Sequence, residues 1–165
     1  MRKIIGKTRN GIPVYLDTRR AHAATHLLEN KRLLALVVKA LDQISAHHEN
    51  VYLDQDMGMV VGETDLVETT EKDEIIYAKR LNRGNFTRFA MNRHPEPTSY
   101  ITLVLSRDTK NDYELVSTWV GRAVPQFPGD SFETPESRTF WQSHALAWGR
   151  QAIQDGSETK EWPWG

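Results

Sequence analysis

Two stretches of this sequence carry side chains that can hold a phosphate, and a histidine ahead of them can move a proton. The first stretch is Lys79, Arg80, Arg83, Arg88 and Arg93, five cations with no acid between them in a chain whose formal net charge is -1. Arginine's planar fork matches a phosphate, so an uncompensated strip of this kind can attract a polyanion. The second is Ser117-Thr118-Trp119, where a small hydroxyl and a large aromatic stand two residues apart. Side chains on a strand alternate with period two, which would place Tyr113, Leu115, Ser117 and Trp119 on one face. There Trp119 could stack a base and Ser117 could donate to a phosphate oxygen. His26 supplies the imidazole, a group that titrates near neutral pH.

Cleavage of RNA without a metal needs little more than this. The 2′-hydroxyl is the nucleophile, so a protein has to supply a proton acceptor, a donor to the leaving 5′-oxygen and positive charge near the phosphate. The corresponding assignment makes His26 the acid/base, with Lys79 and Arg88 as electrostatic partners and Ser117 as a catalytic donor. Arg80, Arg83, Arg93 and Trp119 then bind substrate. Plainer readings compete with each part: a charged strip protects a solvated edge strand, and Ser117 with Trp119 makes an ordinary core or edge pair.

Other clusters say less. His22 and His26 fall four residues apart on one face of a helical segment, but no third ligand has motif spacing. His47, His48 and Glu49 are consecutive, and neighbours on a helix point about 100° apart. Asp54 and Asp56 would share a face if extended, as a divalent-cation pair might, and are read here as an acidic edge or loop. His144, among tryptophans, reads as a packed histidine. With no cysteine in the chain, disulfides, thiolate nucleophiles and Cys-ligated zinc are excluded. No metal and no cofactor are expected.

The elements that must position these groups follow from local patterns. Asn10-Gly11 between two apolar runs predicts a hairpin over residues 3–16. Asp17 or Thr18 caps a helical segment toward Glu29. A second helix starts at Asn30 and carries Leu33, Leu34, Val37, Val38, Leu41 and Ile44 at intervals of three and four, ending near residues 47–50. Four β-rich runs between Glu74 and Gly121, separated by Gly, Pro, Asn and Asp clusters, predict an antiparallel meander. Thr134-Pro135-Glu136 starts a last helix, with Trp141, His144, Ala145 and Trp148 on one face. The expected fold class is α+β: an N-terminal hairpin and helices packed on a central antiparallel meander of about four strands, with a C-terminal helix. Residues 1–154 are expected to form a single domain and 155–165 a mobile tail. No apolar run approaches the roughly 18 residues of a membrane span and no signal peptide is visible, so a cytoplasmic protein is expected.

Two helical segments, basic early strands and a closing strand Tyr113-Glu-Leu-Val-Ser-Thr-Trp-Val-Gly121 together resemble the barnase–EndoU–colicin–RelE superfamily of metal-independent ribonucleases, which includes colicin D and many toxin domains. The similarity spans roughly residues 18–121. It implies toxin-type RNA cleavage giving a 2′,3′-cyclic phosphate, with the histidine role falling on His26 and the Lys/Arg role on Lys79 and Arg88. It also implies RNA as a partner and an acidic inhibitor protein covering the basic strip. Two other readings stand beside it. One is a non-catalytic RNA- or protein-binding module on the same fold. The other is an ADP-ribosyltransferase, for which Glu133-Thr-Pro-Glu136 has the wrong spacing.

Overall fold

The computed structural model describes residues 2–19, 27–47, 49–108, 111–149 and 151–165. It is mixed α+β, as the sequence pattern predicts, and divides into two compact units: Met1–Gly62 with Thr98–Ala123, and Glu63–Pro97 with Val124–Gly165. Where a single domain is expected over residues 1–154, the chain divides into these two units, each assembled from separated stretches of chain.

The first unit begins with the expected hairpin, β1 (Arg2–Lys7) against β2 (Pro13–Asp17), antiparallel with Ile4 opposite Tyr15. Gly11 takes φ +85, the left-handed conformation that favours glycine. Helix α1 (Lys31–Leu41) follows, its first turn capped by the Asn30 side chain, which accepts from the Leu33 N–H at 3.0 Å. The helix stops well short of residues 47–50. Asn10 explains the early end, since its side chain donates to the Ala46 carbonyl and accepts from the Ala46 N–H, holding that segment as extended chain. Val37, Ala40 and Leu41 are buried on the sheet side, and Ile44 and Ala46 continue the core past the helix end.

The sheet under α1 is completed by β3 (Val51–Asp56), β9 (Tyr100–Arg107) and β10 (Tyr113–Val120), in the order β1-β2-β10-β9-β3. All pairs are antiparallel except β2 with β10. Ile101, Leu103, Leu105, Tyr113 and Leu115 point to the α1 side and are buried there. Two short strands, β4 (Gly62–Thr64) and β8 (Glu96–Thr98), pair as a separate ribbon.

The second unit holds β5 (Leu66–Glu68), β6 (Ile75–Lys79), β7 (Phe86–Ala90) and β11 (His144–Ala147), ordered β5-β11-β7-β6. The four runs expected as one meander are therefore divided: β6 and β7 belong to this sheet, whereas β9 and β10 belong to the other. Helix α2 (Pro135–Ser143) starts where Thr134-Pro135 predicts but ends at Ser143. Residues 144–147 leave the helix because Ala145 and Ala147, nearly side-chain-free, fit as a strand between β5 and β7. His144 and Trp141 consequently do not share a helix face.

Residues 155–165, expected to be a mobile tail, lie along the outer edge of β6. Tyr77 and Thr159 exchange both backbone hydrogen bonds at 2.8 Å, and Ser157 Oγ accepts from the Lys79 N–H. An unpaired strand edge is thereby covered. Trp162 and Trp164 meet the Tyr77 ring edge-on, and Trp164 Nε1 donates to Asn85 Oδ1 at 2.8 Å. Deleting residues 158–165 would expose that edge and the Tyr77 ring, so it should destabilise the protein by about 2 kcal/mol or more. A urea midpoint unchanged by the truncation would refute this role for the tail.

Candidate nucleic-acid interface

The expected common face for Tyr113, Leu115, Ser117 and Trp119 is broken by a β-bulge. Opposite β9, the register runs Leu115 to Leu105 and then Ser117 to Val104, so Val116 is the extra residue. A bulge moves every later side chain to the other face. Tyr113 and Leu115 therefore stay in the core, while Ser117 and Trp119 turn away from α1.

Across the sheet on that same α1-distal face, Ser117, Val104 and Tyr52 form one row, and Trp119, Thr102 and Asp54 the next. Trp119 and Tyr52 contact each other with ring centroids 6.0 Å apart and planes at 57°. Tyr52 is 51% exposed. Trp119 Nε1 donates to the Arg122 carbonyl, and the Arg122 guanidinium lies 4.7 Å from the centre of the Tyr100 ring. The Ser117 hydroxyl makes no hydrogen bond among the described residues.

The acids on this face are occupied rather than poised for a cation. Asp54 Oδ2 accepts from Arg122 Nε at 3.4 Å and from the Ala123 N–H at 3.1 Å. Asp56 accepts from the Gly58 N–H, which is the main reason its carboxyl titrates below the ordinary aspartate range. Among the described residues no three His, Asp or Glu side chains cluster as a metal site.

The cations nominated from the sequence are in the second unit and play unlike parts. Arg88 is buried, 8% exposed, and its donors go to the Tyr77 hydroxyl (3.3 Å), Thr69 Oγ1 (3.0 Å) and the His144 carbonyl (2.9 Å). It holds β7 to β11 and to the segment after β5. Arg93 bridges Asp73 at 3.2 Å, pairs with Glu96 and donates to the Glu68 carbonyl. Lys79 lies with its ammonium 5.0 Å from the Phe86 ring centre. Arg80 and Arg83 have no carboxylate within ion-pair distance among the described residues. The basic strip is thus one sequence feature but four structural ones, and all five cations belong to the second unit whereas Ser117 and Trp119 belong to the first. His26 and His22 lie outside the described residues.

His144 is oriented by its own helix. Its ring stacks on Phe140 at 4.0 Å, and Nδ1 lies 3.1 Å from the Phe140 carbonyl and 3.0 Å from Ser143 Oγ. Asp73 is similarly well held: it accepts from the Thr70 N–H, from Asn92 and from Arg93, the first of these contributing most to a carboxyl pKa below the ordinary value. A carboxyl depressed on folding stabilises above its unfolded pKa, about 3.9, and that contribution is lost as pH falls through the lower folded value. Asp73→Asn should therefore lower the urea midpoint at pH 7 and flatten its decline below about pH 4. A variant that declines as steeply as the parent would show that Asp73 is not part of the acid transition.

Tyr52, Tyr100 and Arg122 were not found from the sequence. Tyr52 shares parity with Asp54 and Asp56, so its face was legible, but the pairing of β3 with β9 that brings it to Trp119 was not. Comparison with known proteins found no matching family model, no matching curated protein and no matching solved structure.

Proposed function

We propose that the α1-distal face of the five-stranded sheet binds single-stranded RNA, with bases stacked on Trp119 and Tyr52, and that the bound strand is cleaved without a metal. The observation that carries this reading is the Val116 bulge, which turns Ser117, whose hydroxyl makes no hydrogen bond among the described residues, to the same face as the contacting Trp119 and Tyr52 rings. Stacking tolerates any base because every base has a π face. In the cleavage step the 2′-hydroxyl attacks phosphorus as the P–O5′ bond breaks. One proton leaves the 2′-oxygen, another reaches the 5′-oxygen, and the products end in a 2′,3′-cyclic phosphate and a 5′-hydroxyl. Ser117 donates to a non-bridging oxygen, and His26 is the candidate for the proton transfers.

A second reading, RNA binding without turnover, is favoured by Arg88. Its guanidinium is engaged by three internal acceptors, which removes one electrostatic partner from the cleavage scheme. The two readings separate in a single experiment: the protein is incubated with total RNA in EDTA beside Ser117→Ala and His26→Ala. Defined fragments ending in cyclic phosphate that vanish in both variants establish the nuclease. Intact RNA, with single-strand affinity preserved in both variants, establishes the binding module. For either, Trp119→Ala should weaken a short single-stranded RNA by about 5- to 100-fold, one stacked base being worth roughly 1–3 kcal/mol. With Asp54 and Asp56 nearby, few phosphates are contacted, so the affinity should fall only shallowly with salt. An unchanged affinity for Trp119→Ala would remove this face from the proposal.

A further inference from the structure

The turn joining β6 to β7 carries two guanidiniums that have no counter-ion in ion-pair contact among the described residues. Its backbone is tightly held: the Arg83 N–H donates to the Arg80 carbonyl at 3.1 Å, and Gln154 Nε2 donates to both the Arg80 and Arg83 carbonyls at 3.0 and 2.9 Å. Asn82 sits between them with φ +62. Arg80 is partly withdrawn from water, and its Nε is buried with no acceptor. A guanidinium normally fills its donors, and a desolvated one without an anion is costly. Arg83 adds like-charge repulsion, and the acid whose charge reaches Arg80, Asp130, is not in ion-pair contact with it; one Asp130 oxygen instead accepts from Asn85 at 2.7 Å.

We propose that the Arg80–Arg83 turn is a binding site for a dianionic phosphate group, whether inorganic phosphate or a phosphomonoester. With Arg80 Nε enclosed, a phosphate would be met by the remaining donors of the half-buried Arg80 guanidinium and by the exposed Arg83. Two fixed positive charges on a rigid turn favour a dianion over the single charge of a phosphodiester linkage. General attraction does not account for binding here, because this unit carries nine Lys and Arg against thirteen Asp and Glu. The turn belongs to the second unit, and the proposal does not rest on the RNA reading of the first.

The test is calorimetric titration of the full chain with inorganic phosphate at constant ionic strength, the balance made up with sodium chloride. The expected result is saturable binding with one site and a Kd on the order of a millimolar. Arg83→Ala and Arg80→Lys should each weaken it about tenfold or more, the second because lysine keeps the charge and loses the fork. Lys72→Ala, on the same unit, and Trp119→Ala, on the RNA face, should leave it unchanged. Arg83 is exposed, so its variant reports on a folded protein, which a thermal melt verifies. Titration with the dinucleotide UpU, which has a phosphodiester but no terminal phosphate, should give no comparable binding. Failure to saturate, equal affinity in Arg83→Ala, or UpU binding as tightly as phosphate would each overturn the proposal.

Discussion

Replacing Trp141 by alanine should cost about 3–5 kcal/mol, enough to unfold a domain of ordinary stability at moderate temperature. Trp141 is 1% exposed at the inner face of α2. Its ring stacks on Phe127 at 4.0 Å and meets Phe140 edge-on at 5.0 Å, while Phe127 stacks in turn on Trp164 at 6.1 Å. Removing the indole leaves a cavity among rigid rings that cannot collapse into it, the circumstance in which large-to-small changes cost most. It also strands the Pro125 carbonyl that accepts from Nε1 at 3.2 Å. Trp141→Phe keeps most of the contact area and loses only the hydrogen bond and part of the ring, so it should cost about 1–2 kcal/mol. Urea unfolding followed by circular dichroism measures both. A loss below about 1 kcal/mol for alanine would mean that the aromatic cluster does not hold the second unit.

The Arg88→Ala variant should lose about 2–4 kcal/mol of stability, and its effect on any RNA-directed activity should disappear once unfolding is accounted for. Three acceptors depend on this guanidinium: the Tyr77 hydroxyl, Thr69 Oγ1 and the His144 carbonyl. The Tyr77 contact is buried and the other two part-buried, so the acceptors that lose their donor are at best incompletely rehydrated and add to the loss. Arg88→Lys is the informative companion. It keeps a positive charge but cannot reach three acceptors with one ammonium, so it should be nearly as destabilised as the alanine variant. If instead Arg88→Ala kept the parent urea midpoint and abolished RNA cleavage, the catalytic role assigned to Arg88 from sequence would be restored.

How far each feature was legible depended on the range of the interaction behind it. Asn30 and the leucine–valine stripe of α1, the Asn10-Gly11 turn and the Thr134-Pro135 helix start are local devices, and each appears where its residues say it should. The end of α1 was not legible, because Asn10 captures Ala46 from 36 residues away. Nor was the end of α2, since a run with helical periodicity becomes a strand only when β5 and β7 are present on either side of it.

The candidate site shows the same division more sharply. Strand alternation by itself identified Ser117 and Trp119 as a pair on one face and the Lys79–Arg93 segment as a basic strip. Composition by itself excluded cysteine chemistry. Which face the pair occupies was decided by a single extra residue, Val116, and a bulge leaves no mark in the apolar pattern that would distinguish it from regular alternation. Which cations are paired was decided by the segments packed around them: Arg88 and Arg93 met acceptors brought in from β5, β11 and the segments around them, while Arg80 and Arg83, on a turn, met no carboxylate among the described residues. Residue types and spacing therefore determined the α+β class, most of the strands and the chemistry on offer. Only the tertiary structure decided how β6, β7, β9 and β10 are shared between two sheets, because strand pairing is a contact between distant segments and period-two alternation looks the same whichever neighbour a strand finds.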